Sequence, residues 1–101
     1  MFIYNVTIQV EPSIHDAWLI WLQNIHIPEV MNTGCFTKYQ LVKLLDTKEE
    51  ENTTYAVQYY LESKADYNRY IELFAPLLRE AGLLAWGNKF AAFRTFMQVV
   101  N

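Results

Sequence analysis

A chain of 101 residues has room for one domain, residues 1–101, and one core, since folding at this length hides only about 60 to 70% of the surface an unfolded chain exposes. Its 52% hydrophobic content excludes a disordered chain, and frequent charges leave no apolar run near the ~20 residues needed to span a bilayer. A formal charge of −3, with eight Lys and Arg scattered along the chain, argues against nucleic acid and anionic membrane surfaces as partners.

The chain opens on a strand. Side chains alternate from Phe2 to Val10, so Phe2, Tyr4, Val6, Ile8 and Val10 share one face and Ile3, Asn5, Thr7 and Gln9 the other. The stretch has neither a basic leader nor a small-residue cleavage site, which is read as a mature strand of a cytoplasmic protein. After Glu11 and Pro12, Ser13 followed three residues later by Asp16 predicts a capped helix start. Ile14, Trp18, Trp21, Leu22 and Ile25 then recur at helical spacing as one apolar stripe. Pro28 lacks an N–H and disfavours a helical residue before it, so a stop or kink is expected near His26 and Ile27, with a short helical restart at Pro28. Gly34 suits the left-handed closure of a helix end.

A second strand is expected from Cys35 to Leu45, its alternation blurred by Lys38 and Lys43. Cys35, the single cysteine, reads as a small buried hydrophobe and cannot form an internal disulfide. The acidic run Glu49 to Glu51 reads as a solvated hairpin tip, since three consecutive carboxylates without a loop glycine do not make a calcium loop. A third strand, "TYAVQYYL", places Tyr55, Val57, Tyr59 and Leu61 on one face. Ser63 with Asp66 repeats the capping device, and Tyr67, Tyr70, Ile71, Phe74, Leu78 and Ala81 form a second stripe, kinked at Pro76 and ended by Gly82. Gly87 and Asn88 suit a turn before a last strand, Phe90 to Val100.

The order βαββαβ, closed by right-handed crossovers, predicts an α+β fold of ferredoxin-like type: a four-stranded antiparallel sheet with both helices on one face. The other face then gathers Asn5, Thr7 and Gln9 with Ala56, Gln58 and Tyr60, and with Ala92, Arg94, Phe96 and Gln98. Neutral amides mixed with aromatics suit a surface covered by a second copy of the chain better than one facing water, so a homodimer through this face is expected, against the alternative of a monomer with a wet, amide-rich sheet. Arg94 would then need an acceptor across the interface, or would hold an anionic ligand.

At this point "IYNVT", "IHDAWLIWLQNIHIPEVMNTGCFT", "YAVQYY" and "GNKFAAFRT" carry a resemblance that spans nearly the whole chain. The sequence resembles a small bacterial family, domain of unknown function 4286, and more distantly is similar to the dimeric α+β barrel superfamily, which includes cofactor-independent monooxygenases, haem-degrading enzymes and ligand-sensing domains. The resemblance implies the fold and dimerisation and brings no activity with it.

Candidate chemistry is sparse. On one continuous helix the two histidines, 11 residues apart, would lie roughly 16 Å from each other and could not share a metal. His15, in the first helical turn beside Asp16, reads as exposed or capping. His26 has two readings: a helix-end ring bonding nearby carbonyls, or a proton-transfer or ligand-binding group with a pKa near ~6.5. Trp18, Trp21, Tyr55, Tyr59 and Phe93 form either solid core or the wall of a pocket between sheet and helices, and the hydroxyls of Tyr4, Tyr55 and Tyr59 need partners there. No phosphate loop, nucleophile motif, paired zinc ligands or dinucleotide fingerprint is present, so neither metal nor cofactor is expected. The readings that follow are a homodimeric module for a small apolar or aromatic ligand or for assembly alone, and a cofactor-independent monooxygenase-like or isomerase-like enzyme using His26. An RNA-binding sheet shares the strand order but would need the basic-glycine-aromatic signature that "TTYAVQYY" lacks.

Overall fold

The computed structural model describes residues 1–47 and 52–101, so the acidic run Glu49 to Glu51 lies outside the described residues. Strands β1 (Phe2–Val10), β2 (Lys38–Lys43), β3 (Thr53–Leu61) and β4 (Phe90–Gln98) form one sheet in the order β2-β3-β1-β4, antiparallel throughout. This is the expected ferredoxin-like α+β arrangement. Among the described residues no helix is long and apolar enough to cross a membrane.

The first helical layer is α1 (His15–Trp21), a π-helical turn over Leu22–His26, and α2 (Ile27–Met31). Ser13 does not cap it: the N-cap position falls to Ile14, which has no side-chain hydrogen bond to give. The expected stop at Pro28 does not occur: His26 and Ile27 keep helical backbone angles and α2 runs on through Pro28. In the π turn the Ile27 N–H reaches back to the Leu22 carbonyl, five residues away and not four, so the chain enters Pro28 without an abrupt stop. That wider turn slips the helical phase by one residue. Ile25, expected in the stripe, is left exposed, while Leu22, Ile27 and Val30 are buried and His26 is turned inward. Gly34, at φ +76°, closes the layer in the left-handed conformation.

The second layer is α3 (Lys64–Leu73) and α4 (Ala75–Trp86). Here the cap is real. Ser63 Oγ accepts the Asp66 N–H at 3.1 Å and donates to Asp66 Oδ2 at 3.0 Å. The helix is interrupted at Phe74, and Pro76 sits in the first turn of α4, where its missing N–H costs nothing. Gly82 does not end the helix; it lies inside α4, and a Cβ there would meet Phe90 Cζ and Trp21 Cη2 at 3.7 Å each. Gly87, at φ +62°, ends it.

Both layers cover the sheet face that carries Tyr4, Ile8, Val10, Tyr55, Val57, Tyr59 and Leu61, and Trp18, Leu22, Ile27, Val30 and Tyr70 close the core over it. An aromatic cluster fills its centre: Tyr4 packs on Phe36, Tyr59, Tyr67 and Tyr70 with ring centroids 5.5 to 6.1 Å apart. Cys35 is buried and free, as its apolar surroundings favour.

The register of β4 corrects one expectation. Val6 pairs with Arg94, Tyr4 with Phe96 and Phe2 with Gln98, and directly opposed residues share a face. Arg94, Phe96 and Gln98, with Ala92, therefore lie on the helix-covered face and not beside Asn5, Thr7 and Gln9. A slip of one residue inverts every side chain of a strand, and β4 has nearly equal apolar content on both faces, so its pattern alone did not fix the parity. The open face instead carries Ile3, Asn5, Thr7 and Gln9, Thr54, Ala56, Gln58 and Tyr60, and Ala91, Phe93, Thr95 and Met97.

Candidate functional site

A cavity lies between β1, β4 and the two helical layers. Its void is about 50 Å³, on a scale where one water takes about 10 to 15 Å³, and with its open mouth it extends over about 540 Å³. Tyr4, Val6, Ile8, Phe90, Ala92 and Arg94 rise from the sheet, with Tyr59 from β3. Trp18, Trp21, Leu22, His26 and Val30 form one wall, and Tyr70, Leu78, Arg79 and Gly82 the other. Gly82 sits where a Cβ would rest in ordinary van der Waals contact with Phe90 and Trp21.

Of the expected ligand-binding residues, Trp18, Trp21, His26 and Tyr59 meet at this cavity. Tyr55 and Phe93 do not. Phe93 stands on the open face, 59% exposed. Tyr55, near the start of β3, sits at the end of the sheet beside the first turn of α1, where its hydroxyl lies 2.7 Å from His15 Nε2 and its ring packs on Trp18 at 5.6 Å. His15 is thus neither free nor a cap. Asp16 Oδ1, 2.8 Å from Nδ1, can only accept, so Nδ1–H donates to it, and Nε2 is left to the Tyr55 hydroxyl. Burial first, then the Asp16 charge, raise the Tyr55 phenol above the ordinary tyrosine range, so it stays protonated.

His26 is the titratable group of the cavity. Its ring stacks on Trp21 with centroids 4.8 Å apart and planes 19° from parallel. Burial, helped by the Arg94 guanidinium, lowers its pKa from 6.5 to about 4, so the imidazole is neutral near pH 7. The expectation of an ordinary pKa near ~6.5 therefore does not hold. Tyr59 and Tyr70 are pushed above the ordinary tyrosine range, chiefly by burial, and stay protonated; Arg79 and Arg94 pull the Tyr70 phenol partly back. Arg79 Nη2 donates to Tyr4 Oη at 3.1 Å. The site is an aromatic slot with a neutral imidazole, phenol donors and two guanidinium groups.

Arg79, Tyr70 and Phe90 join the site through tertiary packing. Arg79 had a signal: it lies beside Leu78 and three residues before Gly82, a cation inside an apolar stripe. Arg94 stands at the cavity and not on the open face where strand alternation alone puts it. Among the described residues no group of three or more His, Cys, Asp or Glu side chains is arranged to hold a metal.

Residues 1–100 match the profile of DUF4286, described as a domain of unknown function. No curated protein matches the sequence. Among solved structures, HapK from Hahella chejuensis is similar with a TM-score of 0.70 at 10% identity, covering 100% of this chain and 94% of that one. A dimeric ferredoxin-like protein from an uncultured marine organism gives 0.65 at 15% identity, covering 100% and 96%. SnoaB from Streptomyces nogalater, a cofactor-independent oxygenase, gives 0.58 at 8% identity, covering 99% and 94%. Likeness at these identities concerns the fold.

Proposed function

The chain belongs to the DUF4286 family, and we propose that it is a cytoplasmic homodimeric module that binds a small apolar or aromatic molecule in the cavity between sheet and helices. The observation that carries the reading is the cavity itself: Trp18, Trp21 and Tyr59 give it aromatic walls, while the neutral His26 ring offers both a donor and an acceptor to orient a guest. Pairing of two copies through their sheets is supported by the open face. Asn5, Thr7, Gln9, Gln58 and Tyr60 remain on it, and with Arg94 on the opposite side its one charged side chain among the described strands is Lys38, at the edge and 4.6 Å above the Tyr60 ring. A fold neighbour described as dimeric is consistent with that pairing.

A second reading, a cofactor-independent enzyme of oxygenase or isomerase type, is favoured by the placement of His26 at the cavity. Its lowered pKa makes it a weak general base near neutral pH, which favours binding over proton abstraction. Native mass spectrometry of the protein purified from its own host tests the proposal. Two chains with a retained small molecule are expected. Single chains, or dimers that neither retain nor take up any small aromatic compound, would refute the corresponding half.

A further inference from the structure

The cavity holds more positive charge than its walls neutralise. Arg79 and Arg94 both line it, and both lie near enough to Tyr70 to pull on its phenol. Neither forms an ion pair among the described residues, where the pairs present are His15 with Asp16 and Arg69 with Asp66. Arg79 Nη2 has the Tyr4 hydroxyl, a neutral partner, and its Nε is buried with no partner at all. The neutral His26 supplies no counter-charge either. A partly buried guanidinium without a counter-charge is expensive to keep, and a carboxylate in the cavity beside Arg79 and Arg94 supplies one. The other orphaned donor, Trp86 Nε1, belongs to a side chain that does not line the cavity.

We infer that the guest of this cavity is an aromatic or apolar monocarboxylate, its ring against Trp18 and Trp21 and its carboxylate held by Arg79, with Arg94 adding charge from β4. Tyr59 and His26 are left to read polar groups elsewhere on the ring. The inference rests on the ligand-binding reading above and narrows it to one chemical class. Charge is what selects the guest: an uncharged molecule of the same shape would fill the slot and leave both guanidinium groups without a counter-charge.

The test uses two probes of one shape, benzoate and benzamide, titrated into the full chain while the indole N–H resonances of Trp18 and Trp21 are followed by NMR. Benzoate is expected to bind about tenfold or more tightly than benzamide, as a charge-assisted hydrogen bond predicts. In Arg79→Gln that preference is expected to fall to near unity. Arg94→Gln, at an exposed side chain, is expected to reduce it severalfold and serves if the Arg79 variant fails to fold. Equal binding of the two probes at these indoles would overturn the carboxylate inference and leave the pocket reading standing. A preference that survives in both folded variants would also overturn it. If neither probe moves the indole signals, the pocket reading and this inference fall together.

Discussion

The two faces of the sheet invert the usual distribution of charge. The covered face carries Arg94 and meets Arg79 and His26 across the cavity, while the open face, on β1, β3 and β4, carries no ionisable side chain apart from the Tyr60 phenol. Soluble antiparallel sheets ordinarily put apolar residues inward and charges outward. The covered face presents two guanidinium groups that form no ion pair among the described residues, and the open face presents neutral amides and aromatics. Within the open face Asn5 Nδ2 donates to Thr7 Oγ1 at 3.0 Å, so part of its polar surface is self-satisfied.

The largest effect that separates the faces is expected from truncating one aromatic on each. Trp18, 1% exposed, sits in the core, and Trp18→Ala should lose about 3 to 5 kcal/mol of stability in urea melts. Phe93→Ala should change single-chain stability by no more than about 0.5 kcal/mol and show its effect only in association. Comparable losses at both positions in a monomeric sample would erase the distinction.

Next in size is a charge placed on the open face. Thr7 lies on the central strand β1, and Thr7→Lys would bring two like charges toward one another across a two-fold contact. Sedimentation velocity should show dimer affinity weakened about a hundredfold or more, since an unpaired buried charge costs roughly 3 kcal/mol. An unchanged sedimentation profile would mean the open face is not the contact.

Smallest, and specific to the covered face, is a pH effect. The folded pKa of His26 is depressed to about 4 from an unfolded value of 6.5, so its contribution is fully present above pH 6.5 and is lost as pH falls toward 4. The unfolded chain takes up the proton first. The loss should approach, and not exceed, about 3 kcal/mol at pH 4, and His26→Gln should remove that part of the slope. A variant with the same slope as the parent would return His26 to solvent.

Two pairs of residues show where sequence reasoning reached and where it stopped. Ser13 with Asp16 and Ser63 with Asp66 are the same local motif, yet only Ser63 caps a helix, because the turn after Pro12 delays the helix start to His15 and leaves Ser13 before the N-cap position. Tyr55 and Tyr59 share a strand and a face, yet one turns to His15 at the sheet's end and the other meets the cavity. A period-two pattern gives the side of a strand and says nothing of what stands over each position.

By itself the sequence determined the order of elements, the antiparallel ferredoxin-like sheet, the boundaries of β1, the Ser63 cap and the closing role of Gly34, all of which follow from local periodicity and turn chemistry. Tertiary structure alone decided which way β4 faces and therefore that Arg94 joins Arg79 at one cavity, because register is a property of two strands and not of one. It also decided that His26 faces inward where Ile25 was expected, since a single π turn shifts the helical phase and leaves no trace in the hydrophobic pattern.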